Sequence, residues 1–232
     1  MVALVRAIPV TAALTGSPVI VVGGLAVLCR LSRPYRATSD LDIVHRRIGA
    51  QTPQLELFVN GGAQASGPSG VRVATPAGTV QVDVLEVSDA DLTDLPEDPT
   101  DRLHVLSHAW AASTATAMVL RTTDGDDDLT VRVAEPGALV ATKLQSVMNR
   151  GRYKEGTDLL DIIRLTLDRS SGPAGQRPCA LSRRRTHAFG VTLCSTHFGG
   201  SRSWTRERCA SFARSQRART LAQTTSTSSR SC

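Results

Sequence analysis

The chain has 232 residues, 41% hydrophobic but only 3% aromatic, enough for one sizeable domain or two small ones around an aliphatic core. Its net charge of +6 is split: residues 1 to 169 hold 16 Lys+Arg against 20 Asp+Glu, a balance of −4, while 170 to 232 hold 11 Arg, no Lys, no Asp and only Glu207, a balance of +10. A basic whole-chain average is therefore no argument for nucleic-acid binding by the first 169 residues, and no stretch reaches the roughly 18 to 20 apolar residues of a bilayer span.

In chain order, the opening "MVALVRAIPVTAALTGSPVIVV" faintly resembles a secretion signal, with Arg6 before an apolar run. Pro9, Thr11, Thr15, Gly16, Ser17 and Pro18 interrupt that run, so a cytoplasmic protein with no membrane association is expected. "VIVV" is a short buried strand by its β-branched content. Gly23 and Gly24 turn the chain into a short helix, "LAVLCRL", in which Cys29 is a small core residue. "RPYRATS" is a polar loop, and "DLDIV" a strand with Leu41 and Ile43 opposite Asp40 and Asp42. Residues 53 to 59 form a short helix or strand, and 70 to 87 a hairpin turned at Pro76-Ala77-Gly78. A Pro- and Asp-rich loop spans 88 to 101. "AMVLRTT" and "LTVRVA" are strands around an exposed acidic turn, 124 to 128. Pro136 opens a helix to about Arg150, and a last helix, about 155 to 168, carries apolar positions Leu159, Ile162, Ile163 and Leu165. This order predicts an α/β (α+β) fold, a mixed sheet with packed helices over residues 1 to 169.

The chemistry concentrates at two places. A glycine pair between strand and helix lets backbone N–H groups approach a phosphate. Strand alternation puts Asp40 and Asp42 on one face, where like charges repel unless a cation lies between them. Asp83 stands alone in the apolar strand pattern "VQVDVLEV" and, if it faces inward, needs a partner or a metal. Three such carboxylates beside a glycine turn can hold Mg²⁺, even two ions about 3.5 to 4 Å apart, for in-line attack at a nucleotide phosphorus. Further on, Lys143 and Arg150 are two helical turns apart and share a face that can neutralise a triphosphate. Asp158 and Asp161 likewise share a face, as catalytic groups or as a solvated helix side.

Glycine pair, D-x-D and later strand acid, in that order, resemble the polymerase-β-like nucleotidyltransferase superfamily. With Ala26, Arg36, Thr38, Lys143, Leu144, Arg150, Asp158, Leu159 and Asp161 added, residues 15 to 168 resemble the AbiEii/AbiGii-type toxin nucleotidyltransferases. The resemblance implies that Asp40 and Asp42 bind metal, beside Asp83 from the strand pattern, that Asp40, Asp42 and Lys143 are catalytic, that Asp158 is catalytic or supports the site, and that Asp161 is structural. It implies nucleotide binding by Gly23, Gly24, Thr38, Ser39, Lys143 and Arg150. The activity implied is Mg²⁺-dependent transfer of a nucleoside monophosphate from an NTP to tRNA or a protein, by a toxin with a cognate antitoxin. The glycine turn lacks the serine many members of the superfamily place there, and "KEGTD" stands where an Arg-Asp pair is more usual.

From Ser170 onward the sequence changes kind. Twenty of 63 residues are Ser or Thr, and Cys179, Cys194, Cys209 and Cys232 are singly spaced, unlike a zinc site. Its apolar residues follow neither the strand nor the helix period. Such a tail is an out-of-frame extension of a GC-rich gene, an irregular basic arm that binds RNA or DNA, or a small domain. The first of these would leave the preceding fold as an inactive remnant. His104 and His108, four apart without the Glu of a zinc-protease helix, have a surface or packing role.

Overall fold

The computed structural model describes residues 1–122, 128–149, 152–172 and 191–194. The chain opens with helix α1, Val2–Thr15, which buries Leu4, Val5, Ala7, Ile8 and Thr11. The signal-like opening is thus part of the core, and Pro9 sits inside the helix at the loss of one backbone hydrogen bond. Strand β1, Ile20–Val21, follows, and then helix α2, Gly23–Arg30. The glycine pair is therefore the first turn of α2 and not a turn before it. Cys29 is buried in α2, and desolvation pushes its thiol up to about 12, as befits a small core residue.

Strand β2, Asp40–Arg47, and helix α3, Gln54–Asn60, come next, then strands β3, Gln64–Ala65, β4, Gly70–Thr75, and β5, Gly78–Ser88. The region expected as a loop, 88 to 101, contains helix α4, Asp89–Thr93, and the start of helix α5, Pro99–Thr114. Both starts carry local signals. Ser88 and Asp91 form a reciprocal capping box, and Asp98 accepts from the N–H groups of Thr100 and Asp101 just before Pro99. On α5, His108 is buried and its Nδ1 lies 2.7 Å from the His104 carbonyl. Strands β6, Thr116–Thr122, and β7, Asp128–Val133, helices α6, Pro136–Asn149, and α7, Arg152–Leu167, and strand β8, Val191–Cys194, complete the described elements. The acidic turn, apart from Asp128 at the start of β7, lies outside the described residues, as does the tail apart from 170–172 and β8.

Among the described residues the strands form one eight-stranded sheet in the order β3-β4-β5-β2-β1-β7-β6-β8. It is mixed: β2 runs parallel to β5 and β1 parallel to β7, while β1–β2, β4–β5 and β6–β7 are antiparallel. This is the expected α/β architecture. Two-residue β1 sits mid-sheet, where Val21 pairs with Ile43 on one side and Val133 on the other. Arg30, at the end of α2, reinforces the join. Its guanidinium donates to the carbonyls of Ala134 (2.9 Å) and Val133 (2.6 Å) and lies 3.3 Å from Glu135.

Helix α7 departs from expectation. Leu165 is buried, but Leu159 and Ile163 are exposed, while Asp158 and Asp161 are buried. Among described helices no membrane-length apolar span occurs. Phe58 of α3 is the largest fully buried side chain of an otherwise aliphatic core. Truncation to alanine, Phe58→Ala, should cost about 3–5 kcal/mol, seen as a lower urea midpoint at unchanged m-value.

Candidate active site

Pairing of β2 with β5 sets Asp42 directly beside Asp83 and Asp40 beside Gln81. All four side chains leave the same face of the sheet. One carboxylate oxygen from each of Asp40, Asp42 and Asp83 lies within 4.8 Å of the others, the grouping the sequence predicts. The donor set, three carboxylates and no nitrogen or sulfur, suits a hard divalent cation such as Mg²⁺.

The glycines are required by close approach. Gly23 has φ 58°, and a Cβ there would lie 1.9 Å from Asp42 Oδ2. A Cβ on Gly24 would lie 2.8 Å from Thr38 Oγ1 and 3.2 Å from Arg36 Nη2. The backbone N–H of Gly24 donates to Asp42 Oδ2 at 3.3 Å, so in this structure the glycine turn serves the carboxylate. Its place in the first turn of α2 adds the favourable end of the helix dipole. Two neutral side chains fix the other carboxylates. Thr38 Oγ1 donates to Asp40 Oδ1 at 2.7 Å, and Gln81 Nε2 donates to Asp83 Oδ1 at 2.9 Å. A Cβ on Gly70 of the neighbouring strand would fall 2.2 Å from Gln81 Nε2, so that bond too depends on a glycine. Ser39 is exposed beside this group, and Arg150 lies outside the described residues.

Burial pushes the Asp42 carboxyl up to about 6, and the charge of Asp40 adds to the rise. The Gly24 hydrogen bond and the charge of Lys143 pull the other way. Lys143 is itself held: its Nζ donates to Asp158 Oδ1 at 2.6 Å and lies 2.9 Å from Asp161 Oδ2. Asp161, fully buried, also accepts from Tyr35 (2.5 Å) and from Arg36 Nε (3.2 Å) and Nη2 (2.8 Å). Burial alone would raise its pKa, but bonds from Arg36, Tyr35 and Lys143 outweigh it and hold the carboxyl below the usual range. Burial, with the Asp161 bond, pushes the Tyr35 phenol up to about 12. Asp158 Oδ2 is buried with no hydrogen-bond partner among the described residues, so Lys143 is what balances its charge. Tyr35, Gln81 and Gly70 were not singled out from the sequence. Nothing in their local pattern marks them, because each acts on a carboxylate brought close by folding or by alternation.

No protein-family model matches the chain, and no curated protein matches it. Several solved structures are similar to it, the following two among them. One is an antigenic nucleotidyltransferase-like protein from Paracoccidioides brasiliensis, at 22% identity over 69% of this chain and 74% of that one, with a TM-score of 0.41. The other is ANT(2″)-Ia in complex with adenylyl-2″-tobramycin, at 14% identity over 70% and 85% respectively, with a TM-score of 0.37.

Two outcomes follow from this electrostatics. Burial, with the charge of Asp40 beside it, lifts the folded Asp42 carboxyl from its usual 3.8 to about 6, so between those values the folded chain binds more protons. Its contribution therefore falls as pH rises through that window and is fully unfavourable above it. Metal-free protein should gain melting temperature from this group on acidification towards pH 5, and Asp42→Asn should flatten that response. Added Mg²⁺ should raise the melting temperature more near pH 8 than near pH 5, by scanning fluorimetry. Asp161 has the opposite sign: its stabilisation is present above its unfolded pKa and is lost as pH falls through the depressed folded value. Asp161→Ala, which takes Arg36's carboxylate away and leaves Lys143 with Asp158 alone beside a buried gap, should cost about 3–5 kcal/mol in urea unfolding at neutral pH.

Proposed function

We propose that this chain is a divalent-metal-dependent nucleotidyltransferase, moving a nucleoside monophosphate from an NTP to an acceptor hydroxyl with release of pyrophosphate. The convergence of Asp40, Asp42 and Asp83 beside a glycine-opened helix, with the Lys143 charge felt at Asp42, carries the reading. Asp40, Asp42 and Asp83 hold the cation. Bound Mg²⁺ supplies charge neutralisation of the phosphates and an electrophilic phosphorus.

The chain's own residues do the rest. Lys143 has three N–H donors, two of them spent on Asp158 and Asp161, which leaves one for a phosphate oxygen. It does not need to swing to the nucleotide. Leaving its seat would strand the buried Asp158 charge, so the ammonium acts from a fixed position, as a preorganised site requires. Asp158 therefore holds Lys143, and the acceptor's proton passes to Asp83. In the step, a bond forms between the acceptor oxygen and the α-phosphorus as the bond to the pyrophosphate oxygen breaks. The hydroxyl proton ends on the carboxylate. Thr38 steadies Asp40, and Gly23 and Gly24 permit the approach of Asp42. Ser39 and Arg150 complete the nucleotide contacts. The sequence resemblance supports a toxin of a toxin–antitoxin pair, with tRNA or a protein as acceptor.

The protein should transfer label from at least one of the four α-labelled NTPs to total tRNA or to a protein substrate in the presence of Mg²⁺. Asp40→Ala should reduce transfer on the order of 100-fold or more. A well-folded sample that transfers nothing to any acceptor overturns the catalytic reading and leaves an inert member of the fold.

A further inference from the structure

Helix α7 is amphipathic in the wrong sense. The side it turns to the protein bears Asp158, Asp161 and Leu165, and the half-buried Asp168 follows directly after the helix. Asp168 accepts from the backbone and hydroxyl of Ser32, at 2.9 and 2.6 Å. The side it turns outward bears Leu159, Leu160, Ile163 and Leu167, the last two 50% and 78% exposed. At about 100° per residue these four fall within an arc of about 100°, the width of a normal core-facing stripe. Helix α6, packed beside it, adds Leu144 and Met148, 46% and 53% exposed. Single exposed leucines need no explanation, but a full stripe with its neighbours is the signature of a covered face.

The chain leaves α7 at Asp168 to Gly172, and at that point its composition breaks. The 63 residues from Ser170 hold 11 Arg, 20 Ser or Thr, no Lys and no Asp, with no helical or strand period in their apolar positions. Of these residues the structure describes 170–172 and β8, and β8 pairs with β6 at the edge of the sheet. A helix returning along its predecessor through a short connection is the ordinary cover for such a stripe. We propose that the outer face of α7, with Leu144 and Met148, is a core face. Its cover is an amphipathic C-terminal segment encoded directly after codon 169 in another reading frame, which the sequence from Ser170 onward replaces. This inference is independent of the catalytic reading.

The coding DNA after codon 169, translated in its other two frames, should give in one of them a helix-length run with apolar residues at i, i+3, i+4 and i+7 and ordinary Lys and Asp content. The 232-residue chain should bind a hydrophobic dye and tolerate Ile163→Asp with little change in melting temperature. The frame-restored chain should bind several-fold less dye, melt at least about 5 °C higher, and lose that gain on Ile163→Asp. The proposal is overturned if neither frame encodes such a run or if restoration changes neither dye binding nor melting. It is also overturned if the 232-residue chain is dye-silent as a monomer, its face then being covered by the chain as it stands. A dimer that Ile163→Asp dissociates overturns it as well, by making a second copy the cover.

Discussion

Crowded negative charge is the constraint from which the site is built. Parallel pairing of β2 with β5 places Asp42 across from Asp83, with Asp40 two residues away on the same face. Burial disfavours the charged form of Asp42 most, and like charges held within 4.8 Å add to the rise of its pKa. Everything near them answers that repulsion. Gly23 has no side chain to displace Asp42, Gly24 gives it a backbone N–H, and Thr38 and Gln81 donate hydrogen bonds to Asp40 and Asp83. In the proposed function, a bound cation is what relieves the rest of that repulsion.

A second charge system stands behind the first and alternates in sign. Arg36 and Lys143 both reach Asp161, and Lys143 also reaches Asp158. The alternation explains why α7 turns its carboxylates inward. They compensate two cations that belong to other parts of the chain, one in the loop before β2 and one on α6. With most of the inward side committed to ion pairs, only Leu165 joins it, and Leu159, Leu160, Ile163 and Leu167 are left outward.

The legible part of this protein was whatever is local and alternating. Strand β2 with its two carboxylates, the hairpin of β4 and β5, the α6 helix opened by Pro136 and the grouping of residues 40, 42 and 83 could all be read from period and spacing. The start of α5 was written in Asp98-Pro99 and that of α4 in Ser88 and Asp91, but the surrounding prolines and aspartates read as loop. Helix α1 was obscured by Pro9 and by small residues. The orientation of α7 was not readable at all, because Leu159, Ile163 and Leu165 look core-facing until the partners of Asp158 and Asp161, more than a hundred residues away for Arg36 and Tyr35, are known. Side chains that act on distant carboxylates, Tyr35 above all, leave no trace in their own neighbourhood.

The mid-sheet position of a strand only two residues long has a kinetic corollary. β1 joins β2, near it in sequence, to β7, more than a hundred residues later, and Arg30 and Ser32 tie the same junction to Glu135 and Asp168. Contacts so distant along the chain close late and slowly, because a long loop must be ordered before any of them repays its entropy. The hairpin and the isolated helices can form early on the ribosome, yet the ammonium of residue 143 cannot reach its seat until α7 has emerged and docked. The charged pocket thus waits on residues 158 and 161, and a nascent chain that stops short of them carries no finished version of it.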